Sequence, residues 1–219
     1  MNKLYKGDCL ELMKLIPSGS IDAIITDPPY GTTACKWDSV IDFELMWEQL
    51  NRIIKPNGAI VLFGSEPFSS ALRMSNIKNY KYDWIWHKSR PTGFAFAKKQ
   101  PMRTHENISV FYNKQVNYNS IKEPRDATKK SIKRYNYKMS LGTGTNNVNG
   151  GIKNKRANIE DVNLRNATTV KYFKSMVNCK ILHPTQKPVP LMEYLISTYT
   201  NENETVLDFT MGSGSTGVA

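Results

Sequence analysis

Short apolar runs alternate with longer stretches of helical periodicity along most of this chain. The apolar runs, rich in β-branched and aromatic residues and bounded by Gly, Pro, Asn or Asp, predict strands. They comprise residues 3–8, 21–26, 59–63, 82–86, 108–112 and 205–209. Apolar residues that recur every three or four positions predict helices. They lie at residues 10–16, 43–54 and 68–74, and after residue 188 with the apolar stripe Leu191, Met192, Leu195 and Ile196.

This alternation predicts an α/β fold with a doubly wound, mostly parallel sheet. The strands at 82–86 and 108–112 are an exception, because a loop containing Gly, Lys and Pro, without helical periodicity, connects them. Parallel neighbours need a crossover connection, so these two strands predict an antiparallel edge. The chain has 219 residues, which is enough for one large domain that carries an insertion.

Residues 114–180 interrupt the pattern with many asparagines, glycine-rich stretches and little apolar periodicity. A run of this length without regular elements is uncommon inside a compact domain and is typically functional or disordered. We therefore divide the chain into an amino-terminal half at 1–113, an irregular insertion at 114–180 and a carboxyl-terminal segment at 181–219.

The same insertion holds the surplus charge of the whole chain. The net charge is +11, and residues 114–180 contain 15 Lys or Arg and 4 Asp or Glu, so the remainder is neutral. Such a concentration of positive charge is expected of an element that faces a nucleic-acid backbone. The alternative is a solvated basic insertion without a partner.

The candidate chemistry begins at Asp27-Pro28-Pro29-Tyr30, which follows the apolar run 21–26. Two prolines cannot continue a central strand, and each restricts the residue before it to an extended conformation. The chain is therefore held in a stiff loop at the carboxyl end of a strand, where open α/β sheets place their ligands. A carboxylate, free backbone carbonyls and an aromatic ring suit a planar base with an exocyclic amino group. The alternative is a turn that proline merely stiffens.

A second set of candidate residues lies near the carboxyl end. Asp208 ends a predicted strand, and Gly212 and Gly214 follow it, which would let a ligand approach the backbone closely. Upstream, Thr185 and Lys187 precede a helix whose free N–H groups and positive dipole would attract a carboxylate. An ordinary proline-led helix start is the alternative there.

Several classes of protein are disfavoured. The three cysteines form no C-x-x-C pair, and with three histidines they show no zinc-like spacing, so we expect no metal and reduced thiols. No apolar run reaches the roughly 18 residues of a membrane span, and no signal-peptide pattern opens the chain. We expect a cytoplasmic protein.

Together these stretches resemble the amino-methyltransferases of DNA, specifically the adenine-N6 enzymes of the beta arrangement. The resemblance covers most of the chain outside residues 114–180. Its motifs are GDCLELMKLIPSGSIDAIITDPPYG, KWD, RIIKPNGAIVLFGSEPF, KYDWIWHK, THENISVFY, HPTQKPVPLMEYLI and VLDFTMGSGSTGVA. It implies a class I methyltransferase-like, circularly permuted fold in which 1–113 is the catalytic half, 114–180 the target-recognition region and 181–219 the cofactor-binding half.

The resemblance also implies roles at the target base. Asp27 and the carbonyl of Pro28 would accept hydrogen bonds from the amino group of an adenine flipped out of double-stranded DNA. Pro29 would complete the rigid loop, and Tyr30 would stack on the base. No covalent intermediate is implied.

S-adenosyl-L-methionine is the implied methyl donor. Asp208, Gly212 and Gly214 would line its methionine portion, Thr185 and Lys187 would meet its carboxylate, and Asp8, at the end of its own predicted strand, would face its adenine. Thr210 stands where the family often has Phe.

Other expectations follow the resemblance. Cytosine-N4 methylation remains an alternative, although Asp rather than Ser at position 27 favours adenine, and a DNA-binding remnant without catalysis is another. An RNA substrate also stays open. A cytosine-C5 enzyme is excluded, because no cysteine follows a proline. Related enzymes of bacterial and phage restriction-modification are often dimers, so a homodimer is expected by analogy. Because the chain stops at Ala219, before the acidic residue that meets the cofactor ribose in this family, we expect weak cofactor binding.

Overall fold

The computed structural model describes residues 2–33, 35, 37–124, 164–175, 183 and 185–219. Most of the predicted basic insertion, namely 125–163 and 176–180, lies outside the described residues. The strands are β1 Ile21–Thr26, β2 Ile54–Gly64, β3 Tyr80–Thr92, β4 Arg103–Phe111, β5 Glu123–Pro124, β6 Leu164–Arg165, β7 Val170–Phe173 and β8 Val206–Leu207. The α-helices are α1 Cys9–Lys14, α2 Phe43–Ile53, α3 Phe68–Ser75, α4 Val189–Tyr199 and α5 Ser215–Val218, and a 3-10 helix spans Phe94–Phe96.

Six of the described strands form one large sheet in the order β7-β3-β4-β2-β1-β8, and β5 and β6 form a separate pair. The pairs β1 with β2, β1 with β8, and β3 with β7 are parallel. Strand β4 runs antiparallel to both β2 and β3. The predicted α/β fold with a mixed, largely parallel sheet is therefore confirmed, and β7 adds a strand beyond the predicted antiparallel pair.

Helices cover both faces of this sheet because successive strand residues point to opposite sides. On β3, Asp83 pairs with Arg73 of α3 at 3.3 Å. The next residue, Trp84, serves the other face, where its ring lies 5.8 Å from that of Tyr194 in α4. Its indole N–H donates to the Tyr199 hydroxyl at 2.7 Å. The doubly wound layering follows from this alternation.

The prediction of a strand at residues 3–8 is wrong. Leu4 and Tyr5 are 73% and 67% exposed, and no strand forms there. Asp8 instead caps α1, accepting hydrogen bonds from the backbone N–H groups of Leu10 and Glu11 at its Oδ1. A short apolar run makes a strand only where a neighbouring strand completes its hydrogen bonds, and none of the described strands pairs with residues 3–8.

The chain separates into two compact units. The first comprises Met1–Asn119 and Thr169–Ala219 and contains the large sheet with its helices. The second, Ser120–Thr168, contains the antiparallel pair β5 and β6, where the Arg165 guanidinium lies 3.7 Å from the Glu123 carboxylate. None of the helices formed by described residues has the length and apolarity needed to cross a lipid bilayer.

Candidate active site

The Asp27 loop begins where the interior strand β1 ends. Strand β1 is buried between β2 and β8, and its last residue, Thr26, pairs with Leu62 of β2. Because the prolines that follow have no N–H to donate, strand pairing stops there. Asp27 therefore lies at the carboxyl edge of the two neighbouring parallel strands.

The Asp27 carboxylate is almost enclosed and has two donors. The Tyr30 hydroxyl donates to Oδ1, and the Lys187 ammonium donates to Oδ2 at 2.6 Å. Burial raises the pKa of Asp27, and the charge of Lys187 and the hydrogen bonds from Lys187 and Tyr30 oppose that rise without cancelling it. No described residue hydrogen-bonds the carbonyl oxygen of Pro28. A carboxylate has about four lone-pair positions, so Asp27 keeps acceptor capacity for a further N–H group.

Lys187 joins Asp27 to a buried chain of alternating charges. Its ammonium lies 3.3 Å from Glu106 Oε2, and Lys88 donates to the other oxygen of Glu106 at 3.2 Å. Burial lowers the pKa of Lys187, but Asp27 and Glu106 outweigh it and raise the pKa above its usual range. Burial likewise raises the pKa of Glu106, whereas Lys187 and Lys88 bring it below the ordinary value. Asp27, Lys187, Glu106 and Lys88 thus form a chain in which each charged group faces one of opposite sign.

Sequence reasoning assigned no role to Glu106 or Lys88. Both lie on strands next to apolar runs, and only the pairing of β3 with β4 places Lys88 beside Glu106. A charged residue two positions before the apolar run 108–112, inside the motif THENISVFY, was the available signal. Charge at the end of a buried strand is unusual unless it is paired.

Tyr30 lies between the carboxylate and an aromatic neighbour. Its ring is stacked on Phe68 with the centroids 5.0 Å apart, and the Lys187 ammonium lies 6.0 Å from the ring centroid. Burial and the adjacent Asp27 carboxylate raise the pKa of the Tyr30 hydroxyl well above its usual value, so this group stays protonated. It can therefore donate to Asp27 throughout the physiological pH range.

The glycine-rich loop after β8 is anchored by Asp208. Its Oδ1 accepts from Thr26 at 2.5 Å and from the backbone N–H of Thr210 at 3.1 Å, and its Oδ2 accepts from Thr216 at 2.5 Å. Burial raises the pKa of Asp208, and the two threonine hydroxyls oppose that rise. These bonds tie the carboxyl end of β8 to that of β1.

The glycines of this loop have backbone conformations that favour glycine. Gly212 has φ +52° and Gly214 has φ +77°, which residues with a Cβ rarely adopt. A Cβ added at Gly214 would meet no atom within 4 Å, so the backbone there is open to an approaching group. The loop thus offers exposed backbone directly beside the end of β1.

Thr210 connects the two loops. Its hydroxyl donates to the backbone carbonyl of Asp27 at 3.1 Å and lies 2.6 Å from the Thr26 hydroxyl. A phenylalanine, which the family often has at this position, could make neither contact. The structure therefore brings Asp27 and Asp208 into one cluster, although they are far apart in the sequence.

Asp38 organises the loop that follows Tyr30. Its carboxylate accepts hydrogen bonds from the backbone N–H groups of Gly31, Thr32 and Thr33 at 2.9, 2.9 and 2.6 Å. Burial raises the pKa of Asp38, but these hydrogen bonds outweigh it and leave the pKa below its ordinary value. The neighbouring Trp37 ring lies 5.1 Å from that of His183.

We expect Asp38→Ala to lower the free energy of unfolding by about 1–3 kcal/mol at pH 7, because it leaves three loop N–H groups without their acceptor. The folded-state pKa of Asp38 is lowered, so its contribution is present above the unfolded value of about 3.9 and is lost as pH falls through the folded value. Urea unfolding at pH 7 and pH 3 measures both effects. Amide exchange at residues 31–33 should accelerate in Asp38→Ala and stay unchanged in Asp42→Ala, which removes the cap of α2.

The remaining predicted residues differ in placement. Thr185 is exposed, and its hydroxyl lies 3.0 Å from His183 Nδ1. His183 also lies beside Gly212, at 3.5 Å from a Cβ built there. Asp8 is not in hydrogen-bond contact with the cluster, although Asn2 donates to the carbonyl of Gly217 at 2.6 Å and so ties the amino-terminal segment to α5.

A cavity of about 460 Å³ lies away from this cluster. Its lining includes Pro56 and Gly58 of β2 and Asn79 and Asn113 beside the ends of β3 and β4. These positions are at the opposite edge of the sheet from Asp27. The cavity is therefore separate from the candidate active site.

Comparison with known proteins shows similarity over almost the whole chain. The sequence profile of a protein family described as DNA methylase matches residues 21–219. The chain is 27% identical over 242 residues to the type II methyltransferase M1.MboII of Moraxella bovis, a match that covers 100% of this chain and 86% of that protein. It is also 27% identical over 248 residues to the type II methyltransferase M.HinfI of Haemophilus influenzae, covering 99% of this chain but 61% of that protein.

Structural similarity supports the same grouping. The crystal structure of the M1.HpyAVI–SAM complex superposes with a TM-score of 0.56 at 26% identity, covering 98% of this chain and 85% of that one. This similarity confirms the class I methyltransferase-like fold that the motifs implied. The elements that carry Asp27 and the glycine-rich loop lie within the matched region.

Proposed function

Because the chain belongs to the DNA methylase family of amino-methyltransferases, we propose that it methylates the N6 amino group of adenine in double-stranded DNA, with S-adenosyl-L-methionine as methyl donor. The observation that carries this function is the Asp27 carboxylate at the carboxyl edge of the sheet, linked through Thr210 to the glycine-rich loop. The Asp27 carboxylate suits an amino group, and the glycine-rich loop suits a ligand that must approach the backbone.

The residues around the glycine-rich loop fit the methyl donor. The open backbone at Gly214 leaves room for the methionine portion, with Gly212 and the anchored Asp208 beside it. Thr185 has an exposed hydroxyl for the cofactor carboxylate. Lys187 has three N–H donors. Asp27 and Glu106 occupy two of them, which leaves one for the carboxylate of the cofactor. When bound, the cofactor supplies a methyl group on a sulfonium.

Asp8 would contribute at the far end of the cofactor. Its Oδ1 is occupied by the cap of α1, and Oδ2 remains for an amino group of the cofactor's adenine. The bond from Asn2 to Gly217 keeps this segment beside α5.

At the target base, Asp27 would activate the exocyclic amine as a nucleophile. An exocyclic amine is a weak nucleophile because its lone pair is delocalised into the ring. When Asp27 and the Pro28 carbonyl accept its two hydrogens, the lone pair is localised towards the incoming methyl group. Pro29 keeps the loop rigid, so the amine is held in line, which contributes as effective concentration. The proton released from the amine would pass to Asp27 and on to solvent, which leaves the methylated amine neutral.

Tyr30 would support the flipped base with the ring face that Phe68 does not cover. Extruding a base costs a few kcal/mol, and stacking on an aromatic ring offsets part of that cost. The insertion 114–180, with its excess of 11 positive charges, would hold the phosphate backbone and read the sequence. Binding should therefore weaken steeply as salt concentration rises.

The test is methylation of mixed-sequence duplex DNA with labelled donor, followed by nucleoside analysis and mapping of the modified position. We expect N6-methyladenine within one recurring sequence. N4-methylcytosine would instead identify the alternative amine. DNA binding without any transfer would identify a binding protein, and preferential modification of RNA would change the substrate class.

A further inference from the structure

The hairpin formed by β3 and β4 continues past the carboxyl edge of the sheet. His87 pairs with His105 and Thr92 with Arg103, and the turn between the strands contains the 3-10 helix Phe94–Phe96. Glu106, at the level of the active site, pairs with Trp86 and so lies nearer the base of the hairpin than these pairs. At about 3.3 Å per residue, Arg103 lies roughly 10 Å beyond Glu106. The hairpin tip therefore projects from the same edge that carries Asp27.

Two phenylalanines at this tip face solvent. Phe94 is 81% exposed and Phe96 is 56% exposed, whereas Trp84 and Trp86 in the same hairpin are each 4% exposed. The tip is ordered by its own backbone: Phe96 N–H donates to the carbonyl of Gly93 at 3.0 Å, and Ala97 N–H donates to that of Phe94 at 3.0 Å. The fold thus holds two large apolar rings out of its core at a fixed place.

The hairpin segment that carries these rings is rich in positive charge. Residues 88–105 contain five Lys or Arg and no Asp or Glu. Arg90, Lys98 and Lys99 are exposed. Arg103 donates to the Ser65 hydroxyl at 2.7 Å and so braces the base of the hairpin against the end of β2.

Exposed apolar side chains on a segment with exposed cations match a particular partner. Nucleic acid presents phosphates to the cations, and its base stack accepts an apolar wedge between steps. A purely apolar protein surface would leave the cations without counter-charges. An anionic membrane shares the charge, but membrane contact would not explain why the rings are placed at the edge of the candidate active site.

We propose that Phe94 and Phe96 form a wedge that enters the DNA base stack beside the target and occupies the space left by the extruded base. This role rests on the proposed function and deepens it, because it assigns to the β3–β4 hairpin the work of keeping the base outside the stack. Asp27 acts on the extruded base, and the wedge stabilises the duplex that has lost it.

The first test compares two duplexes that carry the mapped site. One has the normal pair, and the other has an abasic position opposite the target, so that the target is already unpaired. In Phe94→Ala/Phe96→Ala, kcat/KM on the normal duplex should fall about 10- to 100-fold, the range expected for one lost stacking contact. On the abasic duplex the loss should be only about threefold or less, because little unstacking remains. Equal losses on both duplexes, or no loss on either, would overturn the wedge.

The matched control is Ile77→Ala. Ile77 is 57% exposed and precedes β3, at the opposite edge of the sheet. It should leave kcat/KM unchanged on both duplexes. Because all three side chains are exposed, thermal unfolding of both variants should match that of the wild type.

A second readout requires no methyl transfer. In Phe94→Trp, indole emission should be quenched when mixed-sequence duplex is added, since an indole that stacks on bases loses fluorescence, whereas Ile77→Trp should show no quenching. Quenching in Phe94→Trp together with absent methylation would support the wedge and refute the proposed function. Absence of quenching would overturn the wedge. A second contradicting result would be that Phe94→Ala/Phe96→Ala no longer binds phosphatidylglycerol vesicles but acts on DNA as the wild type does.

Discussion

Replacing Asp27 with alanine should lower the rate of methyl transfer to DNA by about 10²–10⁴-fold, the range typical of a lost group that accepts a proton or hydrogen bond during reaction. The variant retains the Pro28 carbonyl and the Tyr30 ring, so a base still enters the site. It lacks the acceptor that localises the lone pair of the amine. Single-turnover methylation with labelled donor measures the rate, and a DNA-binding assay separates it from affinity.

Asp22→Ala is the matched control for this variant. Asp22 lies near the start of β1, the strand that ends just before Asp27, and it also pairs with a lysine, Lys55, at 2.6 Å. Its removal should lower stability without lowering the rate of transfer in the folded fraction. If Asp27→Ala and Asp22→Ala transfer methyl groups equally fast, Asp27 has no direct role.

The acid side of the rate profile should report the same carboxylate. Burial raises the pKa of Asp27 above that of an ordinary aspartate, about 3.9. The ionised form is the acceptor, so activity should be lost as pH falls through the raised value, before ordinary aspartates protonate. Asp38, whose pKa is lowered, should still hold its loop over that range. Single-turnover rates at a series of pH values measure the midpoint.

Replacing Lys187 with methionine lowers the free energy of unfolding by about 3–5 kcal/mol near neutral pH, because two buried carboxylates lose their common partner. The Lys187 side chain is 8% exposed and lies within 3.3 Å of Glu106 and 2.6 Å of Asp27. Methionine fills a similar volume, so the loss reports the charge rather than a cavity. Urea or guanidinium unfolding measures it.

This loss depends on pH in a defined way. The folded pKa of Lys187 is raised, so its contribution is complete below the unfolded value of about 10.4 and is lost as pH rises through the folded one. The folded pKa of Glu106 is lowered, so its contribution is present above about 4.3 and is lost as pH falls through the folded one. The difference between the wild type and Lys187→Met should be largest between roughly pH 5 and pH 10 and should shrink in acid as the carboxylates become neutral.

Lys55→Met provides the control with the same substitution. Lys55 makes a pair of equal length with Asp22, but its side chain is 39% exposed, so water replaces the lost partner. We expect its cost to stay at or below about 1 kcal/mol. Similar losses in both variants would mean that the buried charge chain does not stabilise the fold.

Local sequence was sufficient for the elements whose patterns are strong. The apolar run 21–26 became β1 with the same bounds, and the helical periodicity at 43–54 became α2, Phe43–Ile53. The placement of Asp27 after that strand also follows from sequence, because proline cannot continue a buried ladder. The prediction of a strand from the short apolar run at residues 3–8 was wrong, since a strand needs a pairing partner as well as a pattern.

Only the tertiary structure decided which charged groups, distant in the sequence, form ion pairs with one another. Sequence placed Lys187 at the start of a helix, where a carboxylate is attracted, and the fold supplied two carboxylates of its own, Asp27 from 160 positions away and Glu106 from β4. Thr210 appeared as a departure from the family and became the hydrogen-bonded link between the two loops. The physical reason is range: strand and helix patterns depend on neighbours within a few residues. The ionisation and orientation of a buried group depend on whichever charges the strand order brings within a few ångströms.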